Sequence, residues 1–422
     1  MNDDIRLGRL FEDGLHDIAP LHAPDRLRTQ VKTESSRVRP RPRWLALIKE
    51  SPMRTNSRLA VGSPTARVAA IMVATLLIAA MVIGASFAGA QIFAADGSII
   101  VDPSGDGDFT TIADAVAAAE DGDEILVRPG TYIEAVVIEK NVTIEGDGPV
   151  EEIVITASPE GPTALVDGAY TSDPYAILLV GNDSMLANLT FRDQPSGVLV
   201  QGGSPILDGL VFDSVGYPFG TRGMGNGGSS IVLSDGSTAT VIHNDVRDGG
   251  PIAVFAGSTP IIEGNSLTGG PHIYLSSFGD GTVVTGNTID GTLRWAIGVF
   301  DSNSLTIDGN VITDPGTIGI NLSSGSALIR GNSVSGASLG AIVVGKDETQ
   351  VIGNTLADNA VSITGPGLVH VEGNDLNGGG AGIVITAGSP AVKDNSVTGM
   401  ASRGIVLTAG ASPTLSGNTA CG

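Results

Sequence analysis

The 422-residue chain is poor in three things that usually hold a protein together or give it chemistry. It has one cysteine, Cys421, next to the last residue, which excludes a disulfide framework and a thiolate metal site. Aromatic residues make up only 4% of it, too few for the bulky-ring core of an ordinary globular domain of this length. Cations are scarce where the chain is longest: residues 68–422 carry ten Lys and Arg against 37 Asp and Glu. Such a surface repels nucleic acid and acidic polysaccharides, and leaves neutral or cationic partners. Calcium held loosely at acidic turns is the one ion this balance accommodates; no cofactor is otherwise expected.

What the chain has in plenty is glycine, 59 residues, and small branched aliphatics within a hydrophobic fraction of 41%. They are not scattered. A short apolar strand ending in Gly-Asn or a near variant returns at Asn244, Asn265, Asn287, Asn310, Asn332, Asn354, Asn374, Asn395 and Asn418, at steps of 20 to 23 residues. One such unit cannot bury its own apolar face and must stack on copies of itself, so the period predicts a solenoid. Asn188 and Leu210 are placed at the same repeat position, and the Asn141 strand opens the series. The span from Asn141 to Asn418 then holds roughly twelve coils at about 22 residues each. The 34 residues from Leu210 to Asn244 put an insertion of about 12 into one coil, in the glycine-rich stretch 216–229.

Before each Gly-Asn lies a second strand, such as IVL at 231, INL at 320 and IVI at 383. First and third residues are aliphatic, so alternation turns them inward and the middle one outward. The predicted outward row is Val232, Ala253, Tyr274, Gly298, Asn321, Val343, Ser362, Val384 and Val406, without a carboxylate or a cation. The repeated asparagines are read as structural: they tolerate left-handed backbone at a corner, and their amides can bond from coil to coil.

Ahead of the repeat, residues 68–95 contain no charge, and VAAIMVATLLIAAMVIGASFAGA is long enough as a helix to cross a bilayer. Residues 1–67 carry 13 Lys and Arg against 8 Asp and Glu, net +5, and Asp96, Asp102, Asp106 and Asp108 follow the span. Positive-inside orientation puts the N-terminus in the cytoplasm and the repeat outside. The expected organisation is a cytoplasmic basic segment 1–67, a transmembrane helix from Val68 to Ala90, a linker 91–97 and an ectodomain 98–422. The Ala88-Gly89-Ala90 triplet before Gln91 also allows cleavage of a leader and secretion.

The ectodomain opens with a helical pattern, Ile112, Ala115, Val116 and Ala119 on one face with Thr110 or Thr111 as cap, suited to cover the first coil. Around it run GDFTTI from Gly107, then Ala115-Val116, then RPGTY from Arg128, and GDG from Gly146. This constellation resembles the N-terminal portion of pectin-lyase-like right-handed parallel β-helix proteins, and with the looser repeat the likeness covers residues 98 to about 420. That superfamily includes pectin methylesterases, polysaccharide lyases and the maturation protein of nitrous-oxide reductase. The resemblance implies an all-β right-handed parallel β-helix with a short capping helix; it implies activity less strongly, because the fold hosts enzymes, adhesins and inert surface proteins alike.

The catalytic strings DFIFG and LGRPW of the methylesterases are absent, and no acids cluster at equivalent positions of successive coils as glycoside hydrolysis requires. The histidines 243, 272 and 370 do not have metal-ligand spacing. The expectation is therefore a noncatalytic, membrane-anchored surface protein with a binding or spacer role. Its candidate ligand strip is the inserted loop with Tyr217, Phe219 and Arg222, the outward-facing Phe255, His272, Tyr274 and Phe300, and Trp295 at a nearby corner. Aromatic faces beside a few polar groups suit neutral sugar rings; the bland reading is that the loop folds over these rings. The alternative is a carbohydrate-active enzyme whose groups lie near the insertion, with Asp213, Arg222, His243 and Asp245 as members. Finally, the repeat runs to TLSGNTACG without a polar cap, which predicts end-to-end association through the last coil.

Overall fold

The computed structural model describes residues 97–156, 174–216, 228–300, 304–345, 348–358, 360–408 and 410–421. The expected transmembrane helix, the segment 1–67 and most of the linker lie outside them. Among the described residues no helix is long and apolar enough to cross a membrane.

From Ile99 onward the chain winds into a parallel β-helix of three sheets. The first sheet has 14 strands, from Ile99–Val101 to Thr414–Ser416; the second has 13, from Gly130–Ile133 to Thr419–Cys421; the third has 12, from Val136–Ile138 to Arg403–Leu407. From Glu124 onward each turn visits first, second and third sheet in order, and strands pair in parallel with their equivalents in the neighbouring turns. The 13-stranded second sheet gives about thirteen turns, one more than the repeat predicts, because the coil of Glu124–Val127 and Gly130–Ile133 precedes the Asn141 strand.

Alternation decides what is inside. In the third sheet Ile231, Ile252, Ile273, Ile297, Ile320 and Ile342 stand in register, one per turn, all fully buried. In the first sheet Val241, Ile262, Val284, Ile307, Ile329, Val351 and Val371 do the same. The second sheet supplies Phe191 and Phe212, stacked at 4.9 Å with planes 9° apart, then Val246, Leu267, Ile289 and Ile312. Each fully buried aliphatic contributes about 1.5–3 kcal/mol.

The asparagines form the expected ladder. From Asn244 through Asn265, Asn287, Asn310, Asn332, Asn354, Asn374 and Asn395 to Asn418, each side-chain amide donates to the Oδ1 of the next at 2.8–3.0 Å. The same Oδ1 also accepts the backbone N–H of the preceding asparagine, as Asn310 does from Asn287 at 3.0 Å. The left-handed backbone, however, belongs to the residue before the asparagine: Gly264, Gly286, Gly309, Gly331, Gly353, Gly373 and Gly417, with His243 and Asp394 in their place in two turns. This corrects the register at the start. Asn188, at φ 54°, sits at the glycine position and pairs off with Gly209, at φ 63°, whereas Leu210 does occupy the ladder position, its N–H donating to Asn244 Oδ1.

The helix Ile112–Ala118 covers the first coil as expected, with Thr111 as its cap. It is clamped at both ends by residues of the next strands. Glu134 accepts the N–H groups of Ile112 and Ala113 at 2.9 and 2.8 Å, and Lys140 donates to the carbonyls of Val116, Ala117 and Ala119 at 2.6–3.0 Å. Acid at the N-terminus and amine at the C-terminus both complement the helix dipole and occupy groups the helix leaves unpaired. The motif residues serve this cap: Arg128 pairs with Asp102 at 3.1 Å, and the Tyr132 hydroxyl donates to the Arg128 carbonyl at 2.8 Å.

Candidate functional site

The outward face of the third sheet departs from the expected quiet row in its first half. Leu178, Leu199, Val232, Ala253 and Tyr274 are successive rungs of one line. Leu199, Val232 and Ala253 are almost wholly buried, and with Tyr175 and Phe255 they make a second apolar cluster outside the coil. Val232 and Ala253 thus point outward as predicted, but they are covered rather than exposed. The signal was present in the runs YAILLV and GVLVQ, which are apolar without alternation, as strands buried on both faces are.

Beyond this cluster the face becomes aromatic. Phe255 and Phe300 occupy one line two turns apart, with the small Ser276 between them, and Tyr274 leans across from the neighbouring line. The ring centroids are 5.7 Å apart for Phe255–Tyr274 and 5.3 Å for Tyr274–Phe300, the latter pair stacked. Trp295 is the first residue of the strand Trp295–Phe300 rather than part of a corner. Its indole lies over Gly298, where a Cβ would collide with Nε1, and its ring is 5.3 Å from that of Phe300. His272 meets Trp295 edge-on at 6.4 Å. The Arg294 guanidinium sits 4.0 Å from the indole centroid, a cation–π contact that sequence reasoning missed.

Five predicted residues are thus brought together: Phe255, His272, Tyr274, Trp295 and Phe300. They are not equally accessible. Phe255, His272 and Trp295 are buried at 5%, 5% and 7% exposure, against the expectation that Phe255 and His272 face solvent; Tyr274 and Phe300 are half-buried and Arg294 is exposed. Burial pushes the His272 imidazole down to about 4, so it is neutral at pH 7 and braces the indole rather than offering a charge. Tyr217, Phe219 and Arg222 lie outside the described residues. The insertion itself falls where expected: it separates the second-sheet strand Val211–Asp213 from Ile231–Ser234, after which register resumes at Val198 with Ile231.

The described acids and bases of the enzymatic alternative, Asp213, Asp245 and His243, are engaged in ion pairs. Arg192 bridges Glu151 at 3.3 Å and Asp213 at 3.1 Å, and Arg247 bridges Glu151 at 3.1 Å and Asp245 at 2.6 Å. Asp213 and Asp245 thus belong to one ion-pair network on the second sheet, each with its Oδ2 bonded to a guanidinium group. The bonds it donates to Asp245 are the main cause holding the Arg247 guanidinium above its usual range. His243 stands apart, its Nδ1 3.0 Å from Asp208 Oδ1, and Arg222 is outside the described residues. Among the described residues no three His, Cys, Asp or Glu are placed to hold a metal ion.

A family model described as "Right handed beta helix region" matches residues 175–356 and 272–420. The chain belongs to this right-handed β-helix family. Among curated proteins it is similar to a probable pectinesterase/pectinesterase inhibitor 25 from Arabidopsis thaliana, 36% identical over 106 residues. That match covers 23% of the chain and 16% of the relative, so it spans about a sixth of the relative's length. Among solved structures this β-helix resembles the catalytic unit of a GH87 α-1,3-glucanase from Streptomyces thermodiastaticus, with a TM-score of 0.56 and 17% identity over 76% of this chain and 69% of that one. It also resembles a PL6 alginate lyase in complex with a trisaccharide, with a TM-score of 0.53 and 16% identity over 72% and 81% of the two chains. The Dettilon tailspike protein follows with a TM-score of 0.51 and 13% identity over 70% and 64%. At these identities the likeness is one of fold.

Proposed function

We propose that this β-helix is a noncatalytic glycan-binding protein, held at the outer face of the cell membrane by the uncharged stretch from Val68 to Ala90, and that it takes neutral saccharides on the aromatic strip of its third sheet. One observation carries the reading: Phe255, Tyr274, Phe300 and Trp295 form an unbroken chain of ring contacts across three turns, capped by Arg294. Tyr274 and Phe300 offer the accessible faces, and the buried Phe255, His272 and Trp295 fix their orientation. Pre-oriented rings bind sugar faces with little ordering cost. The excess of acids over cations in residues 68–422 favours neutral over uronate polymers.

The test is a tryptophan-quenching titration of the full chain with cellohexaose, xylohexaose and maltohexaose. Binding is expected to perturb Trp295 and to weaken roughly tenfold or more in Tyr274→Ala, the usual loss for an aromatic hot spot. A titration silent for all three, with Tyr274→Ala no different, removes the reading. The second reading, a carbohydrate-active enzyme, draws on the pectinesterase relative and on the carbohydrate-active proteins that share the fold. Release of reducing ends, unsaturated products or methanol in a polysaccharide screen would favour it over the first.

A further inference from the structure

A second concave surface lies on the first sheet, on a different face from the aromatic strip. It is a groove of about 460 Å³ along four consecutive turns, within the size range of small-ligand sites. Its floor is the line Thr306, Leu328, Gln350 and His370, paired rung to rung in register and therefore spaced by about 4.8 Å. One wall carries Glu348 and Leu368 at the entrance to their strands. The residues on either side of the floor line, Leu305 and Ile307, Ala327 and Ile329, Val369 and Val371, are buried, so alternation turns the floor side chains outward.

Two contrasts single out this groove. Several polar side chains elsewhere on the same face satisfy one another: Asp308 with Arg330 at 2.7 Å, Glu372 with Lys393 at 3.2 Å, Asp208 with His243 at 3.0 Å. The side chains of Gln350, His370 and Glu348, by comparison, are exposed and have no hydrogen-bond partner among the described residues. Beside these free donors and acceptors stand the apolar Leu328, half-buried, and Leu368, 59% exposed, at a position where a solvated loop residue would be expected to be polar. A shallow groove with convergent unpaired amide, imidazole and carboxylate groups over an aliphatic floor fits a hydroxyl-rich ligand with apolar ring faces. Among the described residues of its lining Glu348 carries the one formal charge, and that negative charge disfavours anions.

We infer that the first-sheet groove is a second saccharide-binding site for neutral oligosaccharides, with Gln350, His370 and Glu348 hydrogen-bonding hydroxyls and Leu328 and Leu368 packing against a ring face. It does not depend on the aromatic strip, and the experiment separates the two. Calorimetric titration of the full-length Tyr274→Ala chain with cellohexaose, xylohexaose and maltohexaose reads chiefly the groove, because the strip is weakened roughly tenfold or more. Leucine methyl spectra of the same samples report on Leu328 and Leu368, whereas the tryptophan signal reports on the strip. Binding by at least one hexaose is expected to persist in Tyr274→Ala and to shift the Leu328 and Leu368 methyls. Adding Gln350→Ala should weaken it roughly tenfold, the loss of one or two hydrogen bonds. Leu328→Arg should abolish it by filling the groove, with the thermal melt unchanged because residue 328 points outward. Absence of heat with all three hexaoses in Tyr274→Ala, or binding that Leu328→Arg leaves intact, overturns the inference whatever the tryptophan titration shows.

Discussion

At the scale of single residues the ladder position is the most demanding. Asn310 has no accessible surface, and its Oδ1 takes both the N–H and the side-chain amide of Asn287 at 3.0 Å. Asn310→Ala strands these donors in a dry interior, at a cost of about 2–4 kcal/mol in chemical denaturation. Asn418→Ala removes the same two bonds from Asn395, but those are only partly buried and water can replace them, so about 1 kcal/mol is expected. Equal losses at the two sites would show that the ladder is a by-product of stacking. His272 gives a second prediction, in pH. Its neighbours in register before the core isoleucines are the small Ala296, Gly319 and Ala341, so an imidazole there is buried at a position built for little volume. Its pKa falls to about 4 when folded, mainly through desolvation, from about 6.5 unfolded. Between these values the unfolded chain binds the extra proton, so stability due to this group is present above pH 6.5 and is lost as pH falls toward 4, by about 3 kcal/mol at most. His272→Ala should remove that part of the slope; a wild-type-minus-variant difference that stays flat from pH 7 to 4 contradicts it.

At the scale of the strand, the third-sheet unit Ile318–Leu322 makes the inside–outside assignment testable. Ile320 is fully buried, while Asn321 is half-buried with its amide on Ser323 Oγ at 3.1 Å. Ile320→Asp forfeits about 1.5–3 kcal/mol of burial and adds an unpaired carboxylate, enough to disrupt the local turns, whereas Asn321→Ser is expected to shift the melting midpoint little. Similar losses in both would reverse the facing. This much was legible in the sequence because one-per-turn burial prints directly as period and alternation. The helical cap was legible too, from Thr111 and the Ile112, Ala115, Val116 face. What was hidden depends on contacts between distant elements. Glu134 and Lys140 clamp the helix from 21 to 24 residues away, a relation no local pattern encodes. The left-handed residue before each ladder asparagine misled the placement of Asn188, since asparagine is itself a common left-handed residue. Trp295 read as a corner residue because Gly298, whose missing side chain makes room for the indole, looks in sequence like any other glycine. The first-sheet groove went unnoticed since Thr306, Leu328, Gln350 and His370 share no residue type; only the register aligns them.

At the scale of the molecule, charge is the dominant unbalanced quantity. Against 37 acids in residues 68–422 stand ten cations, and of the eight described all but Arg403 are already engaged: Arg128, Arg192, Arg247, Arg330 and Lys393 in ion pairs, Lys140 on the helix carbonyls, Arg294 over Trp295. Two opposing effects of salt follow. Screening weakens the exposed ion pairs, each worth about 0–1 kcal/mol. It also relieves repulsion among the unpaired acids, a term that acts across the whole surface and grows with the square of the excess. With more than three acids for each cation, relief outweighs loss, so raising sodium chloride from about 20 to about 500 mM should raise the unfolding midpoint at pH 7. A fall instead would mean that the Glu151, Arg192, Asp213, Arg247 and Asp245 network, which ties separate turns of the second sheet together, outweighs the net charge. The same titration bears on ligand choice: binding of an uncharged hexaose should change little over this salt range, while any binding of oligogalacturonate should be weakest at low salt, where the acidic surface repels it over the longest distance.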